Sequence, residues 1–341
     1  MKFDYLIGNV PFQEVRQGHS NTATPIYNSF MDEAYKIAEK VELITPARFL
    51  FDAGYTPHKW NQKMLNDEHL KILHFEKDSK AIFPNTDIKG GVVVSYHDMT
   101  QNFGAMGIFS VYPSMNGILR KVIKTNGFVG LDEIIVTSFA YHYTSTMYDE
   151  NPTLVGRSSK GHEFDLQSNT FDTYPEIYVE ECNDGNYIRI LGRSNNQRCY
   201  RYIKRNYVKN VINLDSYKVF ISKASGTGLF GEALTDGILG YPSDGATVTF
   251  SSIGNFKSEI QALNCKKYIR TKFSRALLGV LKVTQDLTPK KWKYVPLQDF
   301  TVASDIDWST SIHNIDLQLY KKYGLSDEEI NFIETHVKEM E

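Results

Sequence analysis

Phe3-Asp4-Tyr5-Leu6-Ile7-Gly8-Asn9-Val10-Pro11-Phe12-Gln13 carries a short apolar strand, residues 3–7, directly into a Gly8-Asn9 turn. Outward from it the pattern alternates. Thr24-Pro25 reads as a helix start, an N-cap followed by proline at the first helical position, and Tyr27, Phe30, Met31, Ala34 and Ile37 recur on one helical face. Residues 41–44 form the next strand. Thr56-Pro57 opens a second helix bearing Trp60, Met64 and Leu65, and strands follow at 70–75 and 91–96. Alternation of this kind predicts an α/β fold and half of a doubly wound sheet, whose complete form needs further βα units ahead of residue 1.

Beyond about residue 130 the rhythm changes to short aromatic and β-branched runs at 177–179, 187–191, 217–221 and 247–250, punctuated by Asn, Gly, Asp and Ser. These predict a mostly β domain with some helices. From 258 to 282 the spacing of Ile260, Leu263, Tyr268, Phe273, Leu277 and Leu281 predicts one or two helices. Ser326 with Glu329 forms a capping box ahead of Ile330, Ile333, Val337 and Met340, a C-terminal packing helix. The expected divisions are 1–130, 131–300 and 301–341.

At 341 residues with 41% hydrophobic and 23% charged side chains, the chain can bury one or two globular cores. No apolar run approaches the roughly 20 residues needed to cross a bilayer, and the first residues lack a signal-peptide pattern, so a soluble cytoplasmic protein without a membrane partner is expected. Cys182, Cys199 and Cys265 lie too far apart for a metal knuckle or a disulfide framework and read as reduced thiols. No His-rich motif or acidic set with ligand spacing predicts a metal site; Glu163, Asp165 and Glu176 read as solvated acids.

The net charge of -2 conceals a segregated distribution. Arg189, Arg193, Arg198, Arg201, Lys204, Arg205, Lys209, Lys218 and Lys223 face only Asp215, and Lys257, Lys266, Lys267, Arg270, Lys272, Arg275, Lys282, Lys290, Lys291 and Lys293 face only Glu259 and Asp286. A phosphate backbone suits such stretches, because neutralising phosphates releases condensed counterions; a solvated basic face is the alternative. Candidate DNA contacts are Arg189, Arg193, Arg198, Arg201, Lys204, Arg205, Lys266, Lys267, Arg270, Lys272 and Arg275. Arg48 and Lys89 are weaker phosphate candidates, and Tyr141-His142-Tyr143 reads more naturally as a half-buried strand than as a DNA-touching cluster.

The strand ending in Asn9-Val10-Pro11-Phe12 resembles the N-P-P-Y or N-P-P-F catalytic motif of amino-methylating DNA methyltransferases, with Val10 where the first proline stands. The resemblance continues through Leu43-Ile44-Thr45-Pro46-Ala47-Arg48-Phe49-Leu50, Trp60-Asn61, Leu65-Asn66-Asp67 and Phe83-Pro84-Asn85-Thr86-Asp87-Ile88-Lys89-Gly90-Gly91-Val92. Lys267-Tyr268-Ile269-Arg270-Thr271-Lys272-Phe273, Thr284-Gln285, Val295-Pro296-Leu297-Gln298-Asp299-Phe300 and Asp305-Ile306-Asp307-Trp308-Ser309 look like the end of a target-recognition region. The whole is similar to type II, IIG-like, restriction-modification adenine methylases. That resemblance implies the C-terminal half of a methyltransferase sheet followed by a mixed α+β target-recognition domain, double-stranded DNA as substrate and S-adenosylmethionine as donor. It also implies roles in the motif. An aromatic amine is a poor nucleophile, so Asn9 and the Val10 carbonyl would accept its hydrogen bonds, with Pro11 shaping the turn and Phe12 stacking on a flipped base.

The family's donor-binding motif, an acidic residue and then F-x-G-x-G, precedes the catalytic loop, and this chain starts just before that loop. The expectation is therefore an incomplete donor site, and a strand edge that seeks a chain supplying the donor-binding half or self-associates. Gly226-Thr227-Gly228-Leu229-Phe230-Gly231 formally matches G-x-G-x-x-G, but it lacks the usual lead-in and reads as a flexible DNA-facing loop or an ordinary turn. The competing expectation is a non-catalytic DNA specificity subunit or an inactive methylase fragment.

Overall fold

The computed structural model describes residues 3–14, 24–51, 55–86, 88, 90–195 and 197–340, the Pro113 side chain excepted. The fold is mixed α/β and divides into two compact units, Met1–Asn116 and Gly117–Glu341.

In the first unit, β1 (Phe3–Asn9), β2 (Ala38–Pro46), β3 (Leu70–Glu76) and β4 (Val92–Asp98) build one sheet in the order β1-β2-β4-β3. β1 and β2 are parallel, a pairing that requires a crossover, and α1 (Tyr27–Ile37) supplies it. β4 is antiparallel to both β2 and β3. Tyr27, Met31 and Ala34 of α1 pack with Val41 and Leu43 of β2, and α2 (His58–Leu65) adds Trp60, Met64 and Leu65 to the same core. The rings of Tyr27, Phe49 and Trp60 lie 5.4–6.3 Å apart. Truncating Met31, which has no exposed surface, would cost about 2–5 kcal/mol. The other sheet face, which carries Tyr5, Glu42 and Tyr96, is not part of that core; Tyr5 and Ile7 are 45% and 73% exposed. The outer edge of β1 pairs with no described strand.

The strands fall within two or three residues of their expected positions, but the first helix does not start as expected. Thr24-Pro25 is extended, bridged to the segment around Gln13, and α1 begins at Tyr27 with Ile26 as an N-cap that makes no side-chain cap. Tertiary pairing has taken the residues that local propensity would have used as a cap. At α2 likewise, Pro57 is the N-cap, and the Thr56 hydroxyl donates to Asn61 Oδ1 at 2.6 Å.

Helix α3 (Pro113–Ile123) crosses the division between the units. The second unit continues with β5 (Ile135–Val136), α4 (Ser145–Glu150), α5 (Thr170–Thr173), β6 (Tyr187–Ser194), β7 (Gln197–Lys204), β8 (Tyr217–Ser222), β9 (Ile238–Gly240), β10 (Asp244–Ala246) and β11 (Phe250–Phe256). α6 (Glu259–Arg270), α7 (Lys272–Leu281), α8 (Ile312–Lys322) and α9 (Asp327–His336) follow. The strands form two sheets, β10-β6-β7 and β5-β11-β8-β9. Ile188, Ile190, Leu191 and Ile203 pack with Phe171, Tyr174 and Tyr178 in one core.

Two helices do occupy 258–282, broken at Thr271, whose hydroxyl accepts from Ser274 N while Asp316 accepts from Lys272 N and Phe273 N. The buried stripe of α6 is Ala262, Cys265, Tyr268 and Ile269, and Ile260 and Leu263, which carried part of the helical spacing, are exposed. The run 177–179 is not a strand: Ile177 ends a 3-10 turn and Val179 makes one bridge to Tyr202. At 247–250 only Phe250 belongs to a strand. The C-terminal capping box is formed as expected, with both reciprocal hydrogen bonds between Ser326 and Glu329.

Candidate catalytic loop and basic surfaces

β1 ends at Asn9, opposite Ile44 of its parallel neighbour β2. The loop that follows therefore sits at the carboxyl ends of parallel strands, where open α/β sheets hold their ligands. Asn9 is exposed, and no hydrogen bond ties its side-chain amide to another described residue. Val10 is half-buried against the first-unit core, so apolar packing supplies some of the rigidity that proline would give. Pro11 is exposed and Phe12 half-buried. The loop is closed from behind: Ile26 N donates to Phe12 O at 3.2 Å and Glu14 N to Thr24 O at 2.9 Å. This is the pairing that displaces the start of α1.

The Phe12 ring meets Phe83 edge-to-face at 6.0 Å and 79°. Phe83 opens the run at 83–92, and nothing in the sequence marks it as a partner of Phe12. Arg48 follows β2 in a 3-10 turn, half-buried, its stem alongside Gly90, where a Cβ would come within 2.9 Å of it. Lys89 lies outside the described residues. This corner thus presents a polar amide, an adjacent backbone carbonyl and an aromatic pair at one strand end, which can hold a flat ring and accept hydrogen bonds from its amine.

The glycine-rich loop at 226–231 is filled from within. The Glu232 carboxylate accepts from Thr227 N at 2.7 Å, Gly228 N at 2.8 Å and Thr227 Oγ1 at 3.0 Å, and is paired with Lys282. A Cβ on Gly226 would strike Glu232 and one on Gly228 would lie 2.4 Å from Thr284 N, both at positive φ. Its glycines serve close packing around an internal anion. The loop does not fit a methyl-donor site, because its Thr227 and Gly228 N–H groups are already given to Glu232.

Of the predicted DNA contacts, most are engaged inside the second unit. Arg189 makes two bonds of 2.8 Å to Asp244 and stacks over Tyr200; Arg201 pairs with Glu180, Lys204 with Glu150 and Arg205 with Asp215. Lys266 and Arg270 reach Asp236, Lys272 reaches Glu334, and Lys267 donates to the carbonyls of Trp308 and Thr310. Arg275 is a correction: it is 2% exposed and its guanidinium donates to the carbonyls of Arg270, Gly231, Glu232 and Lys338. Burial lowers its pKa to about 10, and it ties chain segments together rather than touching a ligand. Arg193 and Arg198 are both exposed at the end of the β6-β7 hairpin.

Tyr141 and Tyr143 are core residues, 2% and 0% exposed, joined to neighbours by isolated bridges at His142 and Tyr143. Glu163, Asp165 and Glu176 are held by Gly161 N, by His142 and His162, and by Arg157. Among the described residues no group of His, Cys, Asp or Glu could hold a metal, and no helix is long and apolar enough to cross a membrane. The three cysteines are free.

The exposed Asn9-Val10-Pro11-Phe12 loop thus follows a parallel strand pair. Residues 1–83 match the model of the Eco57I restriction-modification methylase family. An uncharacterized adenine-specific methylase of Mycoplasma pneumoniae (strain ATCC 29342 / M129 / Subtype 1) is 33% identical over 95 residues, 27% of this chain and 22% of that protein. The chain thus spans about a fifth of the length of the curated relative it matches. These two matches show the N-terminal segment to be related to restriction-modification adenine methylases. The type IIG restriction endonuclease BpuSI aligns over 93% of this chain and 48% of its own at 9% identity and a TM-score of 0.36, too low to argue from.

Proposed function

We propose that this chain contributes the amine-holding half and a DNA-reading unit of a restriction-modification methyltransferase that modifies the exocyclic amine of adenine in double-stranded DNA with S-adenosylmethionine. The observation that carries the reading is the Asn9 side chain, exposed at the carboxyl end of β1 without a hydrogen-bond partner among the described residues and backed by the Phe12-Phe83 pair. Asn9 Oδ1 and the Val10 carbonyl accept from the adenine amine, drawing its lone pair out of conjugation, while Phe12 offers its face to the base and Phe83 bounds its edge. Catalysis of this kind needs the base extruded from the stack.

In this proposal the first unit is the C-terminal half of a doubly wound methyltransferase sheet, and the second unit carries target recognition. The loop at 226–231 plays no part in holding the donor. The unpaired outer edge of β1, with exposed Tyr5 and Ile7, fits a strand from a donor-binding half; an open edge of this kind leaves N–H and C=O groups without ladder partners. A non-catalytic specificity subunit is the competing reading, favoured by the same internally filled glycine loop.

The test is transfer of labelled methyl groups from S-adenosylmethionine to unmethylated mixed-sequence duplex, comparing wild type with Asn9→Ala. Methylation that falls at least about 100-fold in the variant supports the proposal, by analogy with removal of one catalytic hydrogen-bonding group. Methylation unchanged in Asn9→Ala defeats it. Absence of transfer by the wild-type chain, with salt-sensitive duplex binding retained, marks a recognition-bearing chain that awaits its donor-binding half, whereas transfer by the chain alone would place a complete donor site within it.

A further inference from the structure

We propose that the end of β8 is a phosphate-binding edge for duplex DNA, made by Arg198, Lys223 and Lys290 with the hydroxyls of Ser222 and Thr249. The inference deepens the DNA-binding reading above and rests on it. Within the two basic stretches Arg189, Arg201, Lys204, Arg205, Lys266 and Lys272 are each paired with a carboxylate of the same unit. Arg198, Lys223 and Lys290 pair with none among the described residues. A cation already neutralised inside the fold has little left to offer a phosphate, so these three carry the argument.

The fold gathers them around one strand end. The hairpin that carries Arg198 is seated against the body of the unit, with the guanidinium 3.4 Å from Ser222 Oγ and 5.7 Å from the centre of the Phe250 ring, which sets its charge beside the last residue of β8. Lys223 comes next in the chain, and its N–H donates to Thr249 O at 2.8 Å, so the ladder runs on through it. Successive residues of a strand project to opposite faces, so Arg198, beside Ser222, and Lys223 flank the strand end from two sides. The Lys223 ammonium stands 4.5 Å from the centre of the Phe139 ring, itself 39% exposed. On the third side Leu287 N donates to Lys223 O at 2.8 Å, and exposed Lys290 lies three residues on, its Cα within roughly 11 Å of that of Leu287. Hydroxyls and ring faces hold these cations in place without neutralising them. The acids of the neighbouring segments, Asp172 and Asp286, lie by Ser194 and Lys291. Ser222 Oγ accepts from Arg198 and Thr249 Oγ1 from the Thr247 hydroxyl at 3.2 Å, and each keeps its own proton to give. Cations interleaved with hydroxyl donors are the groups that meet phosphate oxygens on a duplex.

The experiment titrates a labelled mixed-sequence duplex with the full chain over a series of salt concentrations. It compares wild type with Lys223→Gln, Lys290→Gln, Arg198→Gln and Arg198→Lys, each checked for an unchanged melting temperature. Lys257→Gln is the control, the same loss of charge past the far end of β11, about 20 Å from Phe250 and well beyond a Debye length at ordinary salt. Each lost phosphate contact should lower the slope of log affinity against log salt by about 0.9 and reduce affinity at low salt roughly 10-fold, equally for unrelated sequences. Arg198→Lys should keep the wild-type slope, because a phosphate accepts an ammonium as a point charge. Should Arg198→Gln lower the melting temperature, Lys223→Gln, whose side chain rests on an exposed ring, reads the same loss by itself. Slopes unchanged in the Lys223, Lys290 and Arg198 variants overturn the inference and leave the DNA-binding reading standing, and so does a loss in Lys257→Gln equal to theirs, the sign of a diffuse field rather than a site. Failure of the wild type to bind any duplex at low salt overturns both.

Discussion

Two loops of this protein match nucleotide-handling patterns on paper, and the structure treats them in opposite ways. At residues 8–12 the backbone is secured from behind by residues 24–26 and by Val10 packed against the core, which leaves the Asn9 amide exposed and without a partner among the described residues. At residues 226–231 the Thr227 and Gly228 N–H groups are consumed by Glu232, and the glycines accept close approach from Thr284 and from the chain at His336 and Val337. A ligand site needs polar groups whose hydrogen bonds remain to be made. The first loop has them; the second has spent them on its own fold.

The contrast is broken most forcefully at Gly228. At φ +95° and with Thr284 N 2.4 Å from a would-be Cβ, Gly228→Ala should destabilise the second unit by roughly 3 kcal/mol or more, read by denaturant melting. A loss under about 1 kcal/mol would mean that the loop is slack and reopen it as a ligand site.

A smaller effect is expected at Glu232. Burial pushes its pKa up, but the Lys282 ammonium and the N–H groups of Thr227 and Gly228 outweigh burial and hold it at about 2, against an ordinary 4.5. A depressed carboxyl stabilises the fold fully above its unfolded value and loses that contribution as the pH falls from 4.5 through 2. Glu232→Gln should therefore lower the melting temperature at neutral pH and flatten its decline on acidification. A variant whose decline parallels wild type would show that the carboxylate is not the internal anion of the loop.

The smallest effect is expected at the loop of residues 8–12. Val10→Pro restores the motif's first proline and should change the melting temperature of the first unit little, by under about 1.5 kcal/mol equivalent, while any methyl transfer is retained, since the carbonyl is unchanged. Loss of transfer with intact folding would show that packing of the Val10 side chain positions Asn9.

Much of the first unit was legible because short apolar runs and helical periodicity are local signals. The strands at 3–9, 38–46, 70–76 and 92–98 appear within a few residues of their expected places. The error at Thr24-Pro25 was of another kind: a sound local cap signal lost to a bridge with Gln13. The charge pattern misled in the same way. Arg189 finds the Asp244 carboxylate at a separation of 55 residues, and Arg275 finds the Lys338 carbonyl at 63, so a linear tally of cations against neighbouring acids could not show which were already engaged. Phe83 escaped notice beside Phe12 for that reason too.

The sequence by itself determined the strand, the Asn9-Val10-Pro11-Phe12 loop and the order of elements around them, because these depend on residue type, periodicity and turn chemistry within a few positions. Only the tertiary structure decided which polar groups remain available. Hydrogen bonds and ion pairs saturate, and whether a distant chain segment has saturated Glu232, Arg275 or Arg189, or has left Asn9 open, is a matter of three-dimensional proximity that no local pattern encodes.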